Sequence, residues 1–202
     1  MTLAAQTIAA PSDQQAIARR AMIDSQLRTC GINQDWLLAV FERTAREQFV
    51  PAEARGHAYI DRAIPLDPGH AMPAPLAQAM LLAEAVPERG DKVLVVSQTG
   101  YLSALVEPLA QSVETVDAAQ AIAFQSMPVY KIILIDGAIE HLPASLVSAL
   151  LEGGRVVTGL VERGVTRLAS GTKLDGAVAL AARAEVGFPV LGEFAAPKRW
   201  SF

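Results

Sequence analysis

Four short runs rich in β-branched residues punctuate the second half of this 202-residue chain: KVLVV (92–96), SVETVD (112–117), KIILID (131–136) and RVVTGLV (155–161). Such runs are strand-length, and their side chains suit a pleated, buried surface. The stretches YLSALVEPLA and LPASLVSALLEGG lie between them and carry helical spacing. Strands that alternate with helices imply a mostly parallel sheet with right-handed crossovers, an α/β fold. Pro108 ends or kinks the first helix, and Gly153 with Gly154 is expected to stop the second. Beyond Val161, TRLASGTKLDGAVALAARAEVGF reads as a hairpin, so the sheet is expected to finish with antiparallel strands.

One interval is too short for a full doubly wound sheet. Only thirteen residues, including Pro128, separate Asp117 from Lys131. A crossover between parallel strands alone needs about a dozen residues. No room is left for a helix, a further strand and a second helix. The expected architecture is therefore Rossmann-like and truncated in the middle of the sheet.

The first ninety residues favour helices. Ile17, Met22, Ile23 and Leu27 share a helical face before Gly31 interrupts. Asn33 is the expected N-cap of the next helix, which carries Trp36, Leu37, Val40 and Phe41 and stops by Pro51. Residues 56–75 hold four prolines and two glycines and read as irregular, with a new helix starting at Pro75. The organisation expected is a flexible lead-in over 1–13, a helical segment over 14–90 and a Rossmann-like domain over 91–202. The last two form one compact unit.

Bulk chemistry excludes several functions. A net charge of −4 with no basic stripe argues against a nucleic-acid surface. Apolar content is 51%, yet no run approaches the length of about 20 residues that crosses a bilayer. The single Cys30 forms no internal disulfide, and the N-terminus lacks the pattern of a signal peptide, which together suit the cytoplasm. Cys30 reads as a packed or idle thiol. His57, His70 and His141 lack metal-ligand spacing.

The chemistry-bearing candidates cluster at strand ends. KVLVVSQTGY (92–101) reads as strand, tight turn and helix, where α/β enzymes cradle nucleotide cofactors. It offers one glycine, Gly100, after Ser97, Gln98 and Thr99. Asp117 follows seventeen residues later, near the place where nucleotide-binding folds put an acid on ribose hydroxyls. It equally suits the cap of the AAQA segment. Asp136 ends the next run and either faces the crevice or turns with Gly137.

SQLRTCGI (25–32), REQFVP (46–51), AYIDRAIPL (58–66), KVL, AIEHLPASL (138–146), LLEGGRVV (150–157) and the closing KLDG…VGFPVLG together resemble the protein-L-isoaspartate (D-aspartate) O-methyltransferase family. The resemblance implies a Rossmann-like, S-adenosylmethionine-dependent methyltransferase fold. It also implies repair chemistry, in which the isomerised carboxylate of damaged aspartyl or asparaginyl residues is methylated.

The departures fall on functional positions. The family's loop V-L-E-I-G-T-G-S-G-Y is shorter by one residue here, with Val95 in place of the acid and only Gly100 kept. Its substrate loop G-Q-T-I-S-x-P becomes Gly69, His70, Ala71, Met72, Pro73, Ala74, Pro75, so Ala71 and Pro73 replace the two hydroxyl residues. The short interval removes the wall on the adenine side of the cofactor. Gly100 and Asp117 are the cofactor positions that the resemblance retains, with Ser97, Gln98 and Thr99 as a loop remnant. Catalysis is expected to be reduced or lost, a pseudoenzyme on a methyltransferase scaffold. The alternative is a non-catalytic subunit that binds another protein or itself, with Trp200 and Phe202 in the KRWSF tail as contact residues.

Overall fold

The computed structural model describes residues 13–66 and 69–196. Helix α1 (Asp13–Met22) runs into one π-helical turn (Ile23–Leu27) and a 3-10 turn (Arg28–Cys30). The turn closes on Gly31 at φ +88°, a conformation that costs glycine nothing. Helix α2 (Asp35–Arg43) follows with Gln34 at its N-cap and no side-chain cap bond. Asn33 therefore does not cap it: its own N–H is taken by Gln34 Oε1 at 3.1 Å. Cys30 is exposed, so it is not packed.

Two 3-10 turns (Arg46–Phe49 and Ala52–His57) lead to a minimal antiparallel pair, β1 (Ile64–Pro65) and β2 (Ala71–Met72). Helix α3 (Pro75–Ala85) begins with proline in its first turn, where the missing N–H costs nothing. From there strands and helices alternate: β3 (Lys92–Val96), α4 (Tyr101–Val106), β4 (Ser112–Val116), α5 (Ala118–Ile122), β5 (Tyr130–Ile139), α6 (Ala144–Ala149) and β6 (Leu150–Glu162). Antiparallel β7 (Val165–Leu174), β8 (Ala177–Val178) and β9 (Ala181–Ala184) complete the sheet. Arg163 and Gly164 in one turn, and Asp175 and Gly176 in the next, all have positive φ, the geometry of tight hairpin turns.

The strand order is β4-β3-β5-β6-β7-β8, with β9 also on β7. The first four strands are parallel and the remainder antiparallel. The short interval after Asp117 holds only α5 and a loop. Its shortening is taken up at the sheet's edge, where β4 is the last strand among the described residues.

Gly153 and Gly154 do not stop a helix. Helix α6 ends at Ala149, where the Lys173 ammonium donates to the carbonyls of Val147 and Leu150 at 2.7 and 2.8 Å. The two glycines instead lie in a register shift of β6 against β5, with Gly153 at φ +70°. The glycine pair marks an irregularity within β6 and not the end of the helix before it.

Strand side chains alternate between two cores, as a pleat with period two requires. Val93, Val95, Ile132 and Leu134 pack with the N-terminal helices, including Leu37, Phe41, Leu81 and Leu82. Leu94, Val96, Ile133 and Ile135 face α5, α6 and the C-terminal residues Leu191 and Phe194. Trp200 and Phe202 lie outside the described residues.

Candidate functional site

The chain leaves β3 to form β4 on one side and then β5 on the other. The carboxyl ends of β3 and β5 therefore frame the point where an open α/β sheet places its ligand crevice. Ser97 follows directly on β3, and Asp136 lies one residue past the last β3–β5 pair, Val96 with Ile135. Ser97 Oγ donates to Asp136 Oδ2 at 2.8 Å. Gln78, from α3, donates through Nε2 to both Asp136 oxygens at 2.9 and 3.1 Å. Asp136 thus faces the crevice and does not turn with Gly137, and Leu191 packs so close to Gly137 that a Cβ there would lie 2.7 Å from it.

The network continues inward to Arg46. Its guanidinium donates to Gln78 Oε1, to the Pro73 carbonyl and to the Ala58 carbonyl at 2.5, 2.5 and 2.8 Å. Arg46 and Gln78 are wholly buried, and Asp136 and Ser97 nearly so. Burial raises the Asp136 carboxyl above its ordinary value, while bonds from Gln78 and Ser97 and the charge of Arg46 oppose the rise. Burial also lowers Arg46, against the pull of Tyr101 and Asp136. The switch point is filled by side chains that satisfy one another.

Beyond Ser97 the loop bonds to itself. Thr99 N–H meets Ser97 Oγ at 3.4 Å, and Tyr101 N–H meets Thr99 Oγ1 at 3.3 Å. Gly100 takes φ +74° and starts α4, with Gln98 exposed beside it. Tyr101 is fully buried between Phe41, Phe49 and Arg46, with the guanidinium carbon 5.0 Å from the ring centroid.

Asp117 caps α5. Its Oδ1 accepts from Gln120 N–H at 2.7 Å while Gln120 Oε1 accepts from the Asp117 N–H at 3.0 Å, a reciprocal capping box. Replacing Asp117 with Ala is expected to cost about 1 kcal/mol of folding stability, and Asn much less. Chemical unfolding of the two variants checks the difference.

At the positions of the family's substrate loop, Ala71 begins β2 and offers no polar side chain. Pro73 contributes only its carbonyl, which is bonded to Arg46. His70 pairs through Nε2 with Glu193 Oε1 at 2.7 Å. Burial and the charge of Asp117 work to raise the Glu193 carboxyl. Its own backbone N–H and His70 outweigh them and hold it below the ordinary value. Among the described residues no group of three or more His, Cys, Asp or Glu is placed to hold a metal ion.

The structure brings Ser97 and Asp136 together and leaves Gly100, Asp117 and Ala71 outside that network. Arg46 and Gln78 are the network members that residue patterns alone miss. Gln78 had a signal: it is the one polar residue among the buried positions of α3.

The model of the family described as protein-L-isoaspartate (D-aspartate) O-methyltransferase matches residues 18–127. The chain belongs to this family. A protein-L-isoaspartate O-methyltransferase of Koribacter versatilis is 31% identical over 170 residues, covering 70% of this chain and 76% of that protein. A protein-L-isoaspartate O-methyltransferase 2 of Marinobacter nauticus is 31% identical over 205 residues, covering 87% and 93%. Among solved structures, a Plasmodium falciparum protein described as a protein-L-isoaspartate O-methyltransferase, in complex with S-adenosyl-L-homocysteine, superposes with a TM-score of 0.68. That match has 17% identity and covers 90% of this chain and 100% of the other. The two chains thus share a fold at very different sequence.

Proposed function

We propose that this member of the isoaspartyl methyltransferase family retains the scaffold while methyl transfer from S-adenosylmethionine to isoaspartyl carboxylates is reduced or lost. One observation carries the reading: Ser97, Asp136, Gln78 and Arg46 occupy the switch point and bond to one another there. A ligand entering this crevice has to break a buried, charge-assisted network and leave its members unpaired, which is costly. The residues present do not suit the methyl donor that the family uses. The loop N–H groups of Thr99 and Tyr101 meet the loop's own hydroxyls, and an Asp117 oxygen is committed to the α5 cap. Ala71 and Pro73 have no hydroxyl for a substrate carboxylate.

A scaffold of this kind serves as a surface for another protein or a second copy. Ile122, Met127 and Val129, exposed along the shortened interval, favour that use. No helix among the described residues is long and apolar enough to cross a membrane.

Calorimetric titration with S-adenosylmethionine is expected to show no saturable binding, and an isoaspartyl peptide is expected to remain unmethylated by the purified chain. Saturable binding with turnover of the peptide overturns the proposal. Binding without turnover keeps the loss of catalysis and refutes the closed crevice.

A further inference from the structure

Strand β4 is the last strand of the sheet among the described residues. The Val116 carbonyl accepts from the Ser97 N–H at 3.0 Å, so Val116 turns its backbone toward β3. Backbone groups alternate in direction along a strand, and Ser112 and Glu114 therefore face β3 as well. Val113 and Thr115 point their N–H and C=O groups the other way, where no described residue bonds them. Proteins that keep an edge strand single blunt it with proline, lysine, a bulge or a covering segment. β4 has none of the first three: its sequence is SVETV, and it runs beside β3 in unbroken register from Ser112 to Val116. A 2.6 Å bond between the hydroxyls of Thr115 and Ser103 holds the strand in place.

An apolar surface adjoins this edge. Tyr130 reaches from β5 across β3, and its hydroxyl donates to Glu114 Oε2. Phe124 lies against the Tyr130 ring, with centroids 6.1 Å apart. The loop after α5 is thereby tied to the face of the sheet on which Glu114 stands. That loop carries Met127, 77% exposed, and Ile122 at the end of α5 is exposed before it. Open apolar side chains beside an unpaired edge mark a contact surface.

A second copy of the strand fits this edge through its own sequence. With a two-fold axis at Val113, the two Val113 residues exchange N–H to C=O bonds. Each Ser112 hydroxyl then stands opposite the Glu114 carboxylate of the other copy, a donor against an acceptor. Glu114 is not set against its own counterpart, where like charges would repel. Five residues of strand bury too little for a stable dimer, which needs about 800 Å² from each partner, so the contact has to extend over the apolar loop. Resting on the reading that the scaffold serves as a surface, we infer that β4 pairs antiparallel with β4 of a second copy. Two sheets then join into one, and Ile122 and Met127 of each copy cover the seam.

Sedimentation velocity of the whole chain over a range of concentrations is expected to show a monomer–dimer equilibrium. Amide hydrogen exchange followed by NMR is expected to slow at Val113 as the concentration rises. A monomer at every concentration overturns the inference. So does a dimer whose Val113 amide exchanges as fast as in the monomer, because the contact then lies on another face. Slow exchange that persists on dilution also overturns it, because the chain then covers its own edge. Val113→Pro removes an N–H that the ladder to β3 does not use, and Met127→Glu puts a charge on the open apolar loop without touching the core. Each is expected to weaken the dimer about tenfold or more, the scale of one or two lost hydrogen bonds or a buried charge. Dimerisation at wild-type strength in both variants overturns the pairing. Titration of the same preparation with S-adenosylmethionine keeps the two readings apart. A monomer that binds no methyl donor sinks the pairing and leaves the closed crevice standing. A dimer that binds the donor and methylates an isoaspartyl peptide keeps the pairing and sinks the loss of catalysis.

Discussion

Arg46→Ala is expected to lower the free energy of unfolding by about 3–5 kcal/mol, the range seen when one partner of a buried charge pair is removed. The reason lies in what the substitution strands. Arg46 supplies the donors for Gln78 Oε1 and for the carbonyls of Ala58 and Pro73, and its charge stabilises the Asp136 carboxylate. Removing it leaves three acceptors and a carboxylate in an interior that water does not reach. A domain of this size is stable by only about 5–15 kcal/mol, so the variant sits near the threshold of folding. Lys at the same position is expected to recover only part of the loss. A single ammonium cannot reproduce a planar fork that meets three acceptors from different elements. Urea unfolding of the three proteins measures this directly. A loss below about 1 kcal/mol would put Arg46 on a par with an exposed ion pair and remove the network as a structural element.

The strands KVLVV, SVETV and RVVTGLV were legible because β-branched runs bounded by charge or glycine have few other fates. Pro75 at the start of α3 was equally legible, for proline restricts its own φ whatever surrounds it. Asn33 and the pair Gly153–Gly154 were misread for a common reason. Capping preference and glycine frequency are local, but a helix boundary is decided by what the neighbouring segments offer. Lys173, arriving from β7 to take the carbonyls of Val147 and Leu150, ends α6 before the glycines are reached.

The site divides along the same line. Asp117 could be placed at a strand end from spacing alone, and its capping partner Gln120 lies three residues away. The bond from Gln78 to Asp136 spans fifty-eight residues, and that from Ser97 to Asp136 spans thirty-nine. No periodicity couples residues at such distances; the sheet order does. Ser97 in the shortened loop was visible as a lost glycine. That its hydroxyl meets a carboxylate across the switch point became visible only with β5 beside β3.

Asp136→Asn is expected to change how stability depends on pH. Burial raises the folded-state value of Asp136 above its ordinary 3.8. A carboxyl raised in this way binds its proton more tightly in the folded protein than in the unfolded chain. Its favourable contribution is then complete below the unfolded value and is lost as pH rises through the folded value. Each unit of difference removes about 1.4 kcal/mol across that window. Asn keeps an oxygen for the Gln78 amide and does not titrate, so the variant lacks this decline. The stability of the wild type relative to Asp136→Asn should therefore fall as pH rises from the ordinary carboxylate value toward neutrality. Urea unfolding at a series of pH values gives the two curves. Curves that instead diverge in favour of the wild type would mean that Arg46 and the three donated bonds outweigh burial. The crevice would then be closed by an ionised carboxylate held by Gln78 and Ser97, and opening it to a cofactor would be harder still.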